Sequence, residues 1–479
     1  MEKENVVIKN KTIIKWIFLG WLITLPFGSS LFLFDIGTEK TGYFTLYPSL
    51  FLAFILLFIT PWVYKLWGGI EKISIAFLGL WMASSFLYID PFDISEYALF
   101  DIRSLIIQFI YCVGLVNAYY VLKLDFKPNL IIGLKVFLFI LILFGVFEFS
   151  TGIHFESDKT AEMTTLVIGK HFNAPMFLYG NQNNYLVYII FIFLSLSLFD
   201  EKIQKNNYLL LLISGLILIF SIYADSKFSK IISLVLIAYF LVGIVKGNYS
   251  FLKFNKLYPY FISILLLSIT LLVNPIFFGP KFKNSAQYRL NEINIIEKDS
   301  LGKINVVKAR EKLSKKDQSE LVSHMDSVRT KGPGNSKNIR KNLILNGLDY
   351  IRMNPILGLG PGGYEERTIA KGQKKYVDHQ ISPHNFPIEV ISKFGVFGWG
   401  YFVLLFWLSL KIISTKHIEA KNNKGIFILL LIALPVLWLM PASYLFLDTH
   451  KLLIPFILLF SIIHDKKSDT KAEKPIKYV

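Results

Sequence analysis

The chain has little cysteine and few charged residues for its length. Only Cys112 stands among 479 residues, so neither a disulfide framework nor a cysteine-based metal site is expected. A Gly-x-x-x-x-Gly-Lys phosphate loop is also missing, so the sequence does not indicate a nucleotide site of that type. No other cluster has credible metal-ligand spacing. The sequence therefore predicts an activity that uses neither a cofactor nor a metal ion.

Apolar residues dominate instead. Hydrophobic residues make up 53% of the chain and charged residues 18%, and the mean hydropathy is +0.50. The apolar runs are roughly 17–25 residues long, which suits helices that cross a hydrocarbon core of about 30 Å. We therefore predict an all-α polytopic membrane protein with about twelve transmembrane helices. The predicted spans lie near residues 13–34, 44–64, 73–89, 103–122, 131–150, 184–199, 208–223, 229–245, 258–278, 386–413, 426–440 and 452–463.

The net charge of +17 is a topology signal in such a chain, because lysines gather in cytoplasmic loops. Nucleic acid is accordingly not expected as a partner. Lysines precede the first span and fill the C-terminal tail, which predicts a multi-pass protein of the cell membrane with both termini in the cytoplasm. Acidic residues crowd one of the opposite connections, at Asp90, Asp93, Glu96 and Asp101.

Four regions follow from this pattern. They are an N-terminal membrane bundle of about nine spans (1–278), one large extracytoplasmic loop (279–385), about three C-terminal membrane helices (386–465) and a basic cytoplasmic tail (466–479). The large loop carries about twenty Lys and Arg against about eleven Asp and Glu. An anionic ligand would explain this excess, and a solvated basic surface near anionic headgroups is the alternative.

The large loop contains one clear helical pattern, over residues 336–354. Ser336 is a candidate N-cap, Arg340 lies in the first turn, and Pro355 ends the helix. Four glycines follow within Gly358–Gly363, which allow tight turns and a close approach of the backbone to a partner. By itself the glycine run indicates turn chemistry rather than ligand binding.

His384 and Asn385 stand where the large loop meets the next span. Asn385 can cap the helix that begins near Phe386, and Pro387 suits its first turn. The helix dipole there favours anions over an imidazolium ion. A neutral His384 could therefore act as a general base next to a bound phosphate. The alternative is a histidine that only caps the helix or packs at the interface.

Two weaker candidate segments lie earlier in the chain. Lys227 and Lys230 occupy a short predicted outer turn, where they could bind phosphate or anchor the span ends at the interface. Asn181 and Asn183 belong to an Asn/Gln cluster at the mouth of a span. Their amides could bind sugar hydroxyls or serve as ordinary helix caps.

Taken in order, these segments resemble the O-antigen ligase and O-antigen polymerase superfamily. The match comprises the Asn-Ile-Arg sequence ending at Arg340, the Pro-x-x-Gly-x-Gly turn at 355–360, His384-Asn385, and the Phe-Gly-Val-Phe-Gly pattern at 394–398. The Gly-Asn-x-Asn segment at 180–183 is a weaker match. The sequence from 338 to 348 is similar to the teichuronic acid and capsule polymerase branch.

The resemblance implies an inverting, metal-independent glycosyltransferase of the C-type membrane fold. Its donor would be an oligosaccharide on undecaprenyl diphosphate. His384 would activate the acceptor hydroxyl, and Arg340 would bind the departing diphosphate. The family usually has Ser-Arg where this chain has Ser226-Lys227, and lysine keeps the charge but loses the bidentate fork. Membrane lipid and a chain-length regulator are further expected partners. Arg289 and Tyr364 are candidate substrate contacts because they share the loop with the motif.

Three functions remain open at this stage. The first is a polymerase of lipid-linked repeat units for a capsule, exopolysaccharide or teichuronic acid type polymer, with its active site outside the cytoplasm. The second is an O-antigen-type ligase that transfers glycan to a lipid or protein. A composition rich in Lys, Ile, Asn and Phe is typical of low-GC genomes and favours the polymerase by association. The third is a lipid-linked glycan flippase or transporter. Intramembrane charges would favour it, and the sequence suggests few of them, Lys135 and Glu148 in one span.

Overall fold

The computed structural model describes residues 11–30, 34–36, 44–88, 95–151, 175, 182–204, 206–224, 226–246, 295–298, 304–307, 336–370 and 385–414. Within these ranges it is mainly α-helical, with two short hairpins. The described elements fall into two compact units, one formed within residues 1–140, 190–202 and 339–479, the other within 141–189 and 203–338. The helices are α1 Lys11–Thr24, α2 Pro48–Phe58, α3 Thr60–Val63, α4 Gly69–Phe86, α5 Glu96–Leu122, α6 Phe126–Thr151, α7 Gln182–Phe199, α8 Glu201–Gln204, α9 Asn207–Tyr223, α10 Lys227–Lys246, α11 Ser336–Met353, α12 Gly363–Ala370 and α13 Phe386–Ser414.

Among the described residues, fewer segments are long and apolar enough to cross a membrane than the sequence predicted. Two described segments, Glu96–Ser150 and Phe386–Leu410, are long and apolar enough to cross a membrane. The pair Pro48–Phe58 and Thr60–Leu66, bent by 44°, makes a third if it forms one span. The helical class is thus supported, while about twelve spans are not. The predicted spans near 258–278, 426–440 and 452–463 lie outside the described residues.

The first two predicted spans overran into a hairpin. Helix α1 ends at Thr24, where a 3₁₀ turn with Pro26 follows over Leu25–Ser30. Phe34–Ile36 (β1) then pairs antiparallel with Phe44–Leu46 (β2), with Phe34 opposite Leu46. Hydropathy alone had joined these strand residues to the helices beside them.

Helix α5 is the centre of the first unit. It packs against α1, α2, α4 and α12, and it is buried along most of its length. Ser95 caps it, since its Oγ accepts a hydrogen bond from Ala98 N at 3.1 Å. The helix therefore begins at Glu96 rather than near residue 103. Asp101, which the sequence analysis assigned to an acidic loop, is instead a buried residue in the second turn of α5.

The side chain of Asn117 in α5 forms hydrogen bonds on both sides of the break between α2 and α3. Pro61 follows the break and has no N–H to donate. The Asn117 Nδ2 donates to Leu56 O and to Thr60 Oγ1, both at 2.8 Å. Its Oδ1 accepts from Trp67 Nε1 at 3.2 Å. A broken membrane helix needs such partners because lipid offers none to its backbone.

The second unit is built on a helical hairpin. Helices α9 and α10 pack against each other across a turn of three residues, which confirms the short connection predicted there. Tyr185 of α7 donates its hydroxyl hydrogen to Leu141 O at 2.8 Å. A second two-stranded hairpin, β3 Ile295–Lys298 with β4 Ile304–Val307, adds strand structure to a loop for which only helical segments were predicted.

Helix α13 is interrupted at Gly395, and the glycine-rich turn fills the interruption. Gly395 has φ 49° and ψ −117°, so the carbonyls one turn earlier lose their helical partners. Leu359 N and Gly360 N donate to the Ser392 and Lys393 carbonyls, each at 2.8 Å. In return Val396 N donates to Ile356 O at 2.7 Å. The glycine-rich turn and the segment around Gly395 are therefore held together by backbone hydrogen bonds, and we call this contact the backbone joint.

Replacing Gly395 with alanine tests this joint. A Cβ there would collide with Ile356 O, and the positive φ disfavours any L side chain. We expect the free energy of unfolding of the purified protein in detergent to fall by about 1–3 kcal/mol. A Cβ at Gly69 would meet no atom within 4 Å, so Gly69→Ala is the matched control and should lower stability little or not at all. Equal thermal midpoints for both variants would contradict the joint.

Candidate active site

The structure describes some of the predicted site residues and leaves out others. His384, Arg289 and Asn181 lie outside the described residues. Lys227 opens α10 and Asn183 lies in the first turn of α7, and only their backbone positions are described. Those described with their side chains are Arg340, Lys230, Tyr364 and Asn385.

Asn385 caps α13 as the sequence predicted. Its Oδ1 accepts a hydrogen bond from Ile388 N at 3.1 Å, and its carbonyl accepts from Glu389 N at 3.0 Å. The helix begins at Phe386 with Pro387 in its first turn. Residue 384 therefore directly precedes a capped helix N-terminus, a place that favours negatively charged ligands.

Helix α11 brings Arg340 to the surface of the same unit. Ile339 and Leu343 face inward, whereas Arg340 is exposed. Met353 ends the helix just before Pro355. At Gly347 a Cβ would collide with Ile388 Cγ2, so the backbone of α11 lies directly against the first turn of α13. Arg340 thus belongs to a helix that touches the capped turn.

Tyr364 lies between these helices rather than at the surface. It is fully buried, its hydroxyl donates to Leu343 O at 2.8 Å, and its ring contacts Tyr350 edge-on at 5.3 Å. Burial, above all, raises the pKa of this phenol. Direct contact of Tyr364 with substrate stays a prediction, one that a buried ring does not favour. Its observed role is to hold α12 against α11.

A buried ion cluster joins α5, α12 and α13. The Nζ of Lys393 lies 3.0 Å from Asp101 Oδ2, 2.7 Å from Glu365 Oε1 and 3.2 Å from Glu389 Oε1. All four side chains are at most 4% exposed. Within the described ranges no group of three His, Cys, Asp or Glu side chains has the arrangement of a metal site. The three carboxyl groups converge on an ammonium ion instead.

The charges of this cluster do not balance, and that shifts the titration of Glu365. Burial raises the pKa of the Glu365 carboxyl to about 8, against the attraction of Lys393. Asp101 and Glu389 raise it further by repulsion. Asp101 has a second donor, because Gly362 N donates to its Oδ2 at 2.6 Å. At neutral pH the cluster therefore holds Glu365 mainly as the neutral acid.

This cluster was not predicted from the sequence, although the spacing of two of its residues indicated it. Glu389 and Lys393 stand four residues apart inside an apolar run, the spacing of an intrahelical ion pair. Charged residues inside such a run are functional candidates by default. Asp101 and Glu365 could not be added from sequence, because 292 residues separate Asp101 from Lys393.

The second unit carries the lysines of the short turn. Ser226 Oγ donates to Ser229 Oγ at 3.1 Å, and Lys230 N donates to Ser226 O at 3.0 Å. Ser226 is buried, and Lys230 is partly exposed at the start of α10. The turn is thus ordered by its serines, and phosphate binding by Lys227 and Lys230 stays a prediction.

Residues 207–403 match the family model Wzy_C, described as O-antigen ligase. The matched segment runs from α9 into α13, so it includes Arg340, the glycine-rich turn, Asn385 and three members of the ion cluster. No curated protein matches the chain. The motif order from Arg340 to Gly398, the apolar helices and this match agree, and together they indicate a membrane protein that is similar over residues 207–403 to the O-antigen ligase family.

Proposed function

We propose that this protein is a polymerase that joins oligosaccharide repeat units carried on undecaprenyl diphosphate. The match to the O-antigen ligase family supports a membrane-bound glycan ligase or polymerase that acts on lipid-linked glycans. The product would be a surface polysaccharide of the capsule, exopolysaccharide or teichuronic acid type. The reaction would take place on the outer face of a multi-pass protein with both termini in the cytoplasm.

One observation carries the proposal. The family match covers the segment in which α11, the glycine-rich turn, α12 and the start of α13 pack into one body. An exposed arginine on α11 and a capped helix N-terminus directly after His384 belong to that body. A fixed cation and a helix N-terminus are the groups that a departing diphosphate requires.

The proposed reaction is an in-line displacement with inversion. The acceptor hydroxyl oxygen attacks the anomeric carbon of the donor sugar while the bond from that carbon to the diphosphate oxygen breaks. His384, in its neutral form, takes the hydroxyl proton, a task for which an imidazole is suited. The bond electrons leave with the diphosphate, whose growing negative charge is stabilised by Arg340. No metal ion or cofactor takes part.

The remaining predicted contacts are proposed on the resemblance. Lys227 and Lys230 would hold phosphate oxygens as point charges, since lysine lacks the arginine fork. Asn181, Asn183 and Asn385 would offer amides to sugar hydroxyls, with the Asn385 Oδ1 already engaged as a cap. Arg289 would add positive charge from the large loop. A chain-length regulator is a proposed partner.

Ligation is the second candidate, because the matching family model is described as O-antigen ligase. Ligase and polymerase share the donor and the leaving group and differ only in the acceptor. Transport is the third. The buried Lys393 cluster adds intramembrane charge that the sequence analysis had missed, yet its carboxyl groups face an internal ammonium ion rather than a solvent-filled path. Elongation of lipid-linked repeats by purified protein without nucleotide sugar separates enzyme from transporter.

His384→Ala tests the proposed base. We expect surface polysaccharide to collapse to single repeats while the protein stays in the membrane at its normal level, because removing a general base costs about 100-fold or more in rate. The measurement is the glycan length distribution, with membrane abundance measured alongside. Full-length polymer that is no longer attached would indicate a ligase. An unchanged ladder would contradict the assignment of His384.

Arg340→Ala tests the proposed diphosphate contact. We expect turnover of purified protein to fall by about 100-fold, since one lost charge-stabilising group costs that much in comparable sites. Arg340→Lys should recover only part of the loss because the bidentate fork is missing. The neighbouring Lys341 is also exposed, so Lys341→Ala removes the same charge and should change turnover less than threefold. Equal losses for Arg340→Ala and Lys341→Ala would reduce Arg340 to general surface charge.

A further inference from the structure

Lys393 joins two consecutive helices, α12 and α13, to α5, which lies far earlier in the sequence. It lies in α13, while its partners come from α5 (Asp101), α12 (Glu365) and its own helix (Glu389). The carbonyl oxygen of Lys393 also accepts the hydrogen bond from Gly360 N in the backbone joint. Its side chain and its main chain are thus both used to hold the glycine-rich turn and α12 against α13.

Short chains of contacts lead from the cluster to Asn385 and to the helix of Arg340. Glu389 N donates to Asn385 O, and Asn385 is the cap that follows His384. On the other side Glu365 adjoins Tyr364, whose hydroxyl bonds to Leu343 O, three residues along α11 from Arg340. A shift of α12 would therefore move the helix that carries Arg340, and a shift of the first turn of α13 would move Asn385.

We propose that Lys393, held by Asp101, Glu365 and Glu389, is a positioning residue for glycosyl transfer that sets the first turn of α13 relative to the Arg340 helix. This inference rests on the proposed function. It adds a group that never touches substrate but holds the Asn385 cap and the helix of Arg340 in place.

One of the three carboxyl groups in this cluster has to be protonated. Three carboxyl groups face one ammonium ion, so full ionisation would leave two uncompensated negative charges in a buried place. The Oε2 of Glu365 is buried and has no hydrogen-bond partner among the described residues, which disfavours the carboxylate most at this position. The raised pKa of Glu365, about 8, agrees with this location.

The surroundings of Glu365 contain the following titratable and charged groups. Helix α13 contributes Lys393 and Glu389, helix α5 contributes Asp101, and helix α11 contributes Tyr350 beside Tyr364. Arg367, farther along α12, lies over the Tyr350 ring, with 5.6 Å from its Cζ to the ring centroid. The folded-state pKa of Glu365 is raised, so the stability it contributes is full below its unfolded pKa and is lost as pH rises through about 8. The positioned state should weaken over the same range.

Glu365→Gln is the decisive variant, because glutamine copies the neutral acid in shape. Wild-type kcat should fall by about tenfold per pH unit above pH 8, if only the protonated cluster positions the site. Glu365→Gln should keep kcat at pH 7 within about threefold and lose the alkaline decline. The exposed neighbour change Glu366→Gln is the matched control and should keep the wild-type pH profile. The acidic limb set by His384 should be common to all three.

Asp101→Asn supplies the second measurement. It removes a counter-ion of Lys393 while keeping the shape, and a displaced site should cost about 100-fold in kcat with KM changed less than threefold. The assay follows elongation of lipid-linked repeat units extracted from cells that lack this protein. Thermal unfolding and membrane abundance separate a displaced site from an unfolded protein.

Each outcome points one way. Overlapping alkaline limbs for wild type and Glu365→Gln would overturn the inference, and so would an Asp101→Asn enzyme with normal kcat. If Asp101→Asn fails to fold, the pH comparison between wild type, Glu365→Gln and Glu366→Gln decides alone. If wild type transfers glycan to another acceptor without elongation, the polymerase proposal fails, and the same pH comparison on that transfer still tests Lys393.

Discussion

The buried ammonium of Lys393 is the constraint on which the C-terminal part of the first unit depends. An ammonium ion out of water is tolerable only when counter-ions surround it, and here they come from α5, α12 and α13 itself. The requirement fixes α12 and α13 against α5. Once those three are set, the glycine-rich turn, Tyr364 and α11 follow by short backbone and ring contacts. Electrostatics here selects one arrangement rather than merely adding stability.

The backbone joint at Gly395 complements this ionic tie. A helix that breaks in an apolar environment must find new partners for the groups it frees. The turn after α11 supplies these partners: two of its N–H groups donate to carbonyls of α13, and one of its carbonyls accepts from an N–H of α13. Side chains take no part in these hydrogen bonds. The glycines are needed because any Cβ at Gly358 or Gly395 would collide with a carbonyl oxygen of the partner segment.

Sequence patterns predicted the local features of this site well. The amphipathic helix with Arg340 outward, the stop at Pro355, the glycine turn and the Asn385 cap all depend on residues within a few positions of one another. Contacts between distant segments could not be predicted from the sequence. Asp101 reads as a loop residue until α5 is known to begin at Glu96. Hydropathy likewise cannot place the end of a span, which is why the first two predicted spans included Phe34 of β1 and all of β2.

The separation of 292 residues between Asp101 and Lys393 has a consequence for biogenesis. During synthesis α5 is complete long before α13 leaves the ribosome, so Asp101 must wait without its counter-ion in an apolar setting. A buried carboxyl group without a counter-ion is costly, so this part of the fold stays incomplete until Lys393 arrives. Closure of the cluster would then be a late step of assembly, slow because the contact is so distant in the chain. Truncated chains that end before α13 would lack this closure and present the Arg340 helix unanchored.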